Sequence, residues 1–235
     1  MLFVFNIGNT HAQYTIFDGK RFQPVEQCAT ADFSTKLFPR EMPIAGASVA
    51  PFMTEKLSGY NIFWVNSTVK SNLDFSLTEH ATIGADRLAN LFRLEEINCL
   101  PAVCFDFGTA ITMEVIDAER RFRGGAIAPG RMLLRRVLND YTGQLPLIEL
   151  FPTPPEAFGC NTLDSIRLGV DGGAISLVRG LMDKANARFV GQQVAFYGVG
   201  GDAPFFIDAI SELKTGGADF TLQGVRRAWE LNHAR

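Results

Sequence analysis

The apolar and polar positions of this chain fall into two copies of one pattern. Residues 4–8 read Val-Phe-Asn-Ile-Gly, and residues 104–108 read Cys-Phe-Asp-Phe-Gly. Each run is apolar, carries one polar side chain (Asn6 or Asp106) two residues before a glycine, and continues through Thr10 or Thr109 into a second apolar segment ending at Asp18 or Asp117. The pattern predicts strand, tight turn, strand. Alternation over 13–17 and 112–116 marks the second strands, which the turn residues at 18–19 and 117–121 close. Two copies about 100 residues apart point to a duplicated lobe rather than a many-repeat solenoid.

Further strands are predicted at 44–49, 61–65 and 194–197. Helical spacing puts Leu88, Leu91, Phe92, Leu94 and Ile97 on one face after Asp86, a residue suited to a helix start. A longer helical pattern over 163–182 runs through Ile166, Val170, Ile175, Val178 and Leu181, and its glycines, Gly169, Gly172, Gly173 and Gly180, point to close helix contacts or to a break. The segment 145–155, with four prolines, reads as irregular. Strands mixed with helices, and no Ser- or Gly-rich linker, predict an α/β protein of two lobes packed directly together. The expected boundaries are 1–100 and 101–235, and a cleft between lobes is the natural ligand site.

Composition narrows the function classes. Lys plus Arg number 22 against 25 Asp plus Glu, a net charge of −3, so the basic footprint of a phosphate-gripping nucleic-acid binder is missing. No apolar run approaches the roughly 18–20 residues that cross a bilayer, and no basic segment precedes the apolar start at 1–5. The four cysteines, at 28, 99, 104 and 160, form no CxxC, and only 3 histidines accompany them. Cys99 and Cys104 are expected to be core thiols in a reducing cytoplasm.

Candidate chemistry starts at the two turns, Gly8-Asn9-Thr10 and Gly108-Thr109-Ala110. Glycine lets backbone N–H groups approach an anion, and the threonine hydroxyl adds a donor, so two such turns can clamp a polyphosphate. Asp106 ends a buried-looking strand, where a carboxylate needs a cation or hydrogen bonds. Asn6, at the matching place, offers only a neutral oxygen. Gly84-Ala85-Asp86-Arg87 sets an acid beside a base at a helix start, equally the pattern of a helix-dipole acid with a solvated arginine. The stretches 124–130 and 198–202 read as glycine turns able to meet a ligand or merely to connect elements, and Asn161-Thr162 reads as a helix cap.

In this order the segments resemble the type III pantothenate kinases, within the acetate and sugar kinase, Hsc70 and actin superfamily. Residues 6–10 look like its first phosphate motif, 84–87 like its substrate motif and 106–112 like its second phosphate motif; 124–130, 161–162, 200–201 and 222–225 also fall where that family has signatures. The resemblance implies two duplicated ribonuclease-H-like lobes with an interlobe cleft, the actin-like ATPase fold, in a homodimer. It also implies transfer of the ATP γ-phosphoryl group to pantothenate, the first step of coenzyme A synthesis, in the cytoplasm, with no direct contact to nucleic acid or membrane. Asp86 is then the general base, and Gly84, Ala85, Asp86, Arg87 and Thr162 bind pantothenate. Asn6, Ile7, Gly8, Asn9, Thr10, His11, Ala12 and Gln13 hold the phosphates with Mg²⁺, Thr109 touches ATP, and Asp106 holds a monovalent cation, K⁺ or NH₄⁺. The family usually has Asp where this chain has Asn6, and Tyr and Pro shortly before the substrate motif, where this chain has Leu77 and His80. A second reading stays open at this point: a catalytically weak or inactive relative acting as a nucleotide-binding regulatory protein or accessory factor in transcription.

Overall fold

One strand order occurs twice. In the computed structural model, which describes residues 1–233, the first five strands form a sheet ordered β3-β2-β1-β4-β5 and the last five a sheet ordered β10-β9-β6-β7-β8. Reading β6 as β1, β7 as β2 and so on turns the second order into the first, so the repeat seen in the chain is a repeat of topology. The strands are β1 (Leu2–Ile7), β2 (His11–Phe17), β3 (Glu26–Ala29), β4 (Ile44–Ser48) and β5 (Ile62–Trp64), then β6 (Ala102–Phe107), β7 (Ala110–Ile116), β8 (Phe122–Pro129), β9 (Ala195–Val199) and β10 (Leu213–Thr215). The helices are α1 (Pro51–Lys56), α2 (Ala85–Ile97), α3 (Arg131–Tyr141), α4 (Thr162–Arg167), α5 (Gly173–Arg188), α6 (Ala203–Ala209) and α7 (Phe220–His233).

The chain packs into two compact units, one of 1–100, 116–124 and the residues from 217 onward, the other of 101–115 and 125–216. In the first unit β1 lies at the sheet centre, antiparallel to β2 and parallel to β4, so its side chains are covered on both faces and read as an apolar run rather than an alternation. Phe3, Phe5, Ile7 and Ala12 join Phe33, Met53 and Leu57 in one core. Gly46 on β4 is required there: a Cβ would lie 2.2 Å from the Phe5 ring. Helix α7 returns to this unit and crosses α2, with Thr221 Oγ1 donating to Asn90 Oδ1 at 2.8 Å in a buried pair.

In the second unit Val103, Phe105 and Phe107 of β6 pack with Val178 and Met182 of α5 and Phe206 of α6. The Phe107 and Phe206 rings stack at 4.0 Å between centroids. The glycines of the long helical pattern mark a real interruption, since Leu168–Gly172 forms a π turn between α4 and α5.

Two expectations are corrected. Of the stretch 124–130, residues 124–129 are the greater part of strand β8, whose alternating exposure fits an edge position in the sheet, and Gly130 caps α3. The helix that follows it, α3, has no counterpart in the expected elements. Cys104 is a core thiol, fully buried, whereas Cys99 is exposed: Asn98 takes the left-handed conformation (φ 55°) that ends α2 and leaves Cys99 in the loop before β6.

Candidate active site

The β1–β2 hairpin is closed by Gly8, whose N–H donates to His11 O at 2.9 Å. Thr30 braces the turn from outside, its hydroxyl donating to Gly8 O at 2.8 Å and its N–H to Thr10 O at 3.0 Å. Asn9, Thr10 and His11 are exposed at the tip. Asn6 pairs across the hairpin with Gln13, and Ile7 with Ala12. Directly opposed residues share a face, so the pairs divide. Ile7 and Ala12 are fully buried in the core, leaving only their backbone for a ligand, while Asn6 and Gln13 stay partly accessible. Asn6 Oδ1 is buried and accepts no hydrogen bond from the described residues.

Asp86 sits at the same end of this sheet. Val49 N–H donates to Ile7 O at 3.0 Å, and the Val49 side chain is what a Cβ on Gly84 would meet at 3.2 Å. Gly84 caps α2, so Asp86 lies in the first turn of that helix. The Arg87 N–H donates to Asp86 Oδ1 at 2.7 Å. Burial pushes the Asp86 carboxyl above the usual carboxylate range, against the opposing pull of the Arg87 N–H and guanidinium. Ala85 and Arg87 flank it on α2, both partly buried. Leu77 is 53% exposed, whereas His80 stacks on Phe75 at 4.7 Å between ring centroids.

In the second unit the structure gathers glycines around Asp106, which stands near the C-terminal end of β6. Gly108 N–H donates to Ala110 O at 3.0 Å, closing the turn that contains Thr109. Gly130 N–H donates to Thr109 O at 3.0 Å, and a Cβ at Gly130 would lie 2.3 Å from Gly108 O. Gly200, at φ +93°, packs directly against Asp106, where a Cβ would lie 2.4 Å from Asp106 Oδ1 and 2.6 Å from Phe107 O. Backbone therefore approaches backbone at both turns, which only glycine permits. The turn after β9 stands at the carboxyl end of parallel strands, where α/β sheets place ligands. Asn161 caps α4, its Oδ1 accepting from Asp164 N–H at 2.9 Å, and Thr162 is exposed at the first position of that helix.

This unit also holds a buried ionic group that local sequence patterns do not announce. Arg131, Arg135 and Asp171 are each at most 2% exposed. Arg131 forks onto Asp202 and touches Asp171, while Arg135 Nη2 donates to both Asp171 oxygens at 2.9 and 2.8 Å. Their trace in the sequence is Arg131 and Arg135, four residues apart and so on one helical face, enclosing the apolar run 132–134.

No group of three or more His, Cys, Asp or Glu among the described residues could cage a metal ion. Magnesium does not need one, since it commonly relies on substrate phosphates, water and one or two protein oxygens. The orphaned Asn6 Oδ1 fits such a role, and the Asp106 carboxylate at the Gly200 turn has the chemistry to hold a cation.

The family model for type III pantothenate kinase matches residues 2–184. This chain belongs to the type III pantothenate kinase family. The type III pantothenate kinase of Thermomicrobium roseum is 31% identical over 256 residues, covering 99% of this chain and 98% of that protein. Among solved structures, a Baf family protein from Campylobacter jejuni aligns with a TM-score of 0.70 at 20% identity over 98% of both chains. MreB5 of Spiroplasma citri, solved with ADP, aligns with a TM-score of 0.50 at 10% identity over 99% of this chain and 95% of that one. These likenesses agree with the duplicated sheets in giving this type III pantothenate kinase family member the actin-like ATPase fold.

Proposed function

We propose that this chain transfers the γ-phosphoryl group of ATP to the primary hydroxyl of pantothenate, as its family does, in the first step of coenzyme A synthesis. The observation that carries the reading is Asp86: a carboxylate on the first turn of α2, at the end of the sheet that bears the β1–β2 turn, with its proton affinity raised by burial. A base is most effective when its pKa approaches the working pH, and burial moves an aspartate in that direction. The hydroxyl oxygen forms the new P–O bond, the bond to the departing ADP breaks, and the hydroxyl proton passes to the Asp86 carboxylate.

Phosphoryl transfer asks the protein mainly for positioning and charge neutralisation. Residues 6–13 bind the phosphates through backbone N–H groups and the Asn6 and Gln13 side chains, and Thr109 contacts ATP. Gly84, Ala85, Arg87 and Thr162 bind pantothenate. Asn6 Oδ1 is the oxygen offered to the magnesium nucleotide, and Asp106 is the carboxylate offered to K⁺ or NH₄⁺. When bound, these ions neutralise charge on the phosphates.

The protein acts as a homodimer in the cytoplasm. Support for the dimer comes from α3, which buries Arg131 and Arg135 and leaves Leu133, Val137 and Tyr141 exposed along one face. An apolar stripe of this kind on a surface helix asks for a cover. No helix of the described residues is long and apolar enough to cross a membrane.

The test is ATP-dependent formation of phosphopantothenate with magnesium and potassium present, compared with Asp86→Asn. Turnover by the wild type, with product formation lost and ATP binding retained in the variant, is the expected outcome. Normal turnover by Asp86→Asn removes Asp86 from the base role, and no product from the wild type defeats the reading.

A further inference from the structure

We propose that Arg131 is a positioning residue for the Asp106 carboxylate, acting through Asp202 and the turn that contains Gly200. The inference rests on the reading of Asp106 as a cation-holding carboxylate of the kinase. Arg131 begins α3 immediately after Gly130, whose N–H is tied to Thr109 O, so its backbone is anchored to the Gly108–Thr109 turn. Its side chain reaches to Asp202, in the turn whose Gly200 packs against Asp106. Nε and Nη2 donate to the two Asp202 oxygens at 2.8 and 2.5 Å, a paired geometry that fixes both planes. Nη1 donates to Phe151 O at 3.1 Å and lies 3.2 Å from Asp171 Oδ1. The guanidinium carbon stands 3.4 Å from the centre of the Phe205 ring. With its side chain 1% exposed and its donors engaged, Arg131 has one orientation available.

Asp202 transmits that orientation. Its own N–H donates to Phe107 O at 3.0 Å, the carbonyl of the residue after Asp106. Two residues earlier, Gly200 is so close that a Cβ would overlap Asp106 Oδ1. The turn is thus the wall against which the carboxylate rests, and Arg131 holds the wall. A buried ion pair is weak evidence for stability alone. A two-donor fork is a device for orientation, which lysine, a compact charge without a planar fork, does not reproduce.

The experiment uses the full chain as wild type, Arg131→Lys, Asp202→Asn and Asp106→Asn, with thermal melting to establish that each variant is folded. Initial rates are measured across a K⁺ series and a pantothenate series, and hydrogen exchange is followed at the Asp202 amide. Loss of a supporting partner commonly weakens a metal site by 10- to 100-fold, so Arg131→Lys is expected to raise the K⁺ concentration for half-maximal rate by about tenfold or more. It should also lower kcat, speed Asp202 exchange and leave KM for pantothenate unchanged. If Arg131→Lys does not fold, Asp202→Asn carries the same readouts. Wild-type exchange in the folded variant overturns the inference. So does faster exchange with unaltered K⁺ activation and kcat, provided Asp106→Asn is impaired. If Asp106→Asn itself keeps wild-type rates and K⁺ response, the reading of Asp106 is what fails, and the inference falls with it as a statement about the reaction.

Discussion

A methyl group on Gly84 would stand 2.8 Å from Asp86 Oδ1, so the glycine that caps α2 also sets the space in which the carboxylate turns. The obstacle is the end of a side chain, which can rotate away, and the Gly84 φ of −57° suits any residue. Gly84→Ala should therefore fold normally and misplace Asp86. Displacement of a reacting group by about 1 Å costs on the order of 100-fold in rate. Steady-state kinetics should show that loss in kcat with Tm within a few degrees of wild type; an unchanged kcat would mean that Gly84 does not set the carboxylate.

Burial raises the Asp86 carboxyl above its unfolded value, so the folded protein holds that proton more tightly. The associated stability is fully present below the unfolded pKa of about 3.9 and is lost as pH rises through the folded value. Asp86→Asn carries no ionisable group there. It should melt above wild type near neutral pH, with the difference closing towards pH 3, while activity drops by about 10²- to 10⁴-fold as for loss of a general base. In the wild type the acid limb of the kcat profile should fall above the usual aspartate range. An acid limb at or below 3.9 would contradict the assignment.

Asn6 Oδ1 is a buried acceptor without a hydrogen bond among the described residues, at the position the proposed function assigns to the magnesium nucleotide. Asn6→Asp keeps the shape and adds a charge. Without ligand the variant should melt lower than wild type, because the new carboxylate is desolvated, and magnesium with ATP should restore the loss. Half-maximal Mg²⁺ concentration in the kinase assay should fall. Identical melting and magnesium response in both proteins would put residue 6 outside the nucleotide site.

Helices α2 and α7 touch backbone to backbone, since a Cβ at Gly224 would lie 1.8 Å from Ala89 O. Neither side can yield without moving a helix. Gly224→Ala should cost about 3 kcal/mol, which for a chain of this size lowers Tm by roughly 6–12 °C. Calorimetry decides it, and a variant as stable as wild type would show that the helices separate freely.

The elements that could be read in advance are those with a local period. Strands β1, β2, β6 and β7 followed from apolar runs closed by Gly8 and Gly108, and α2 from the spacing of Leu88, Leu91 and Phe92 behind Asp86. The same local chemistry marked Asn161 as a cap and the glycines near 170 as a break. Helix α3 defeated that logic. It buries Arg131 and Arg135 and exposes Leu133 and Val137, the reverse of an amphipathic helix on a core, because Asp171 and Asp202 come from residues 36 and 71 positions away.

The sequence by itself determined the duplicated hairpins, the order of the motifs and the residue types able to bind phosphate, cation and substrate. Tertiary structure decided which of those residues are presented and which are spent on packing: Ile7 and Ala12 went to the core, while Asp86 was desolvated on the first turn of α2. It also decided that Gly130 closes on the Gly108–Thr109 turn and Gly200 on Asp106, and that α7 returns to pack on α2. The reason is range: turn and strand preferences act over a few residues, whereas desolvation and backbone contact depend on groups brought together only when distant segments pack.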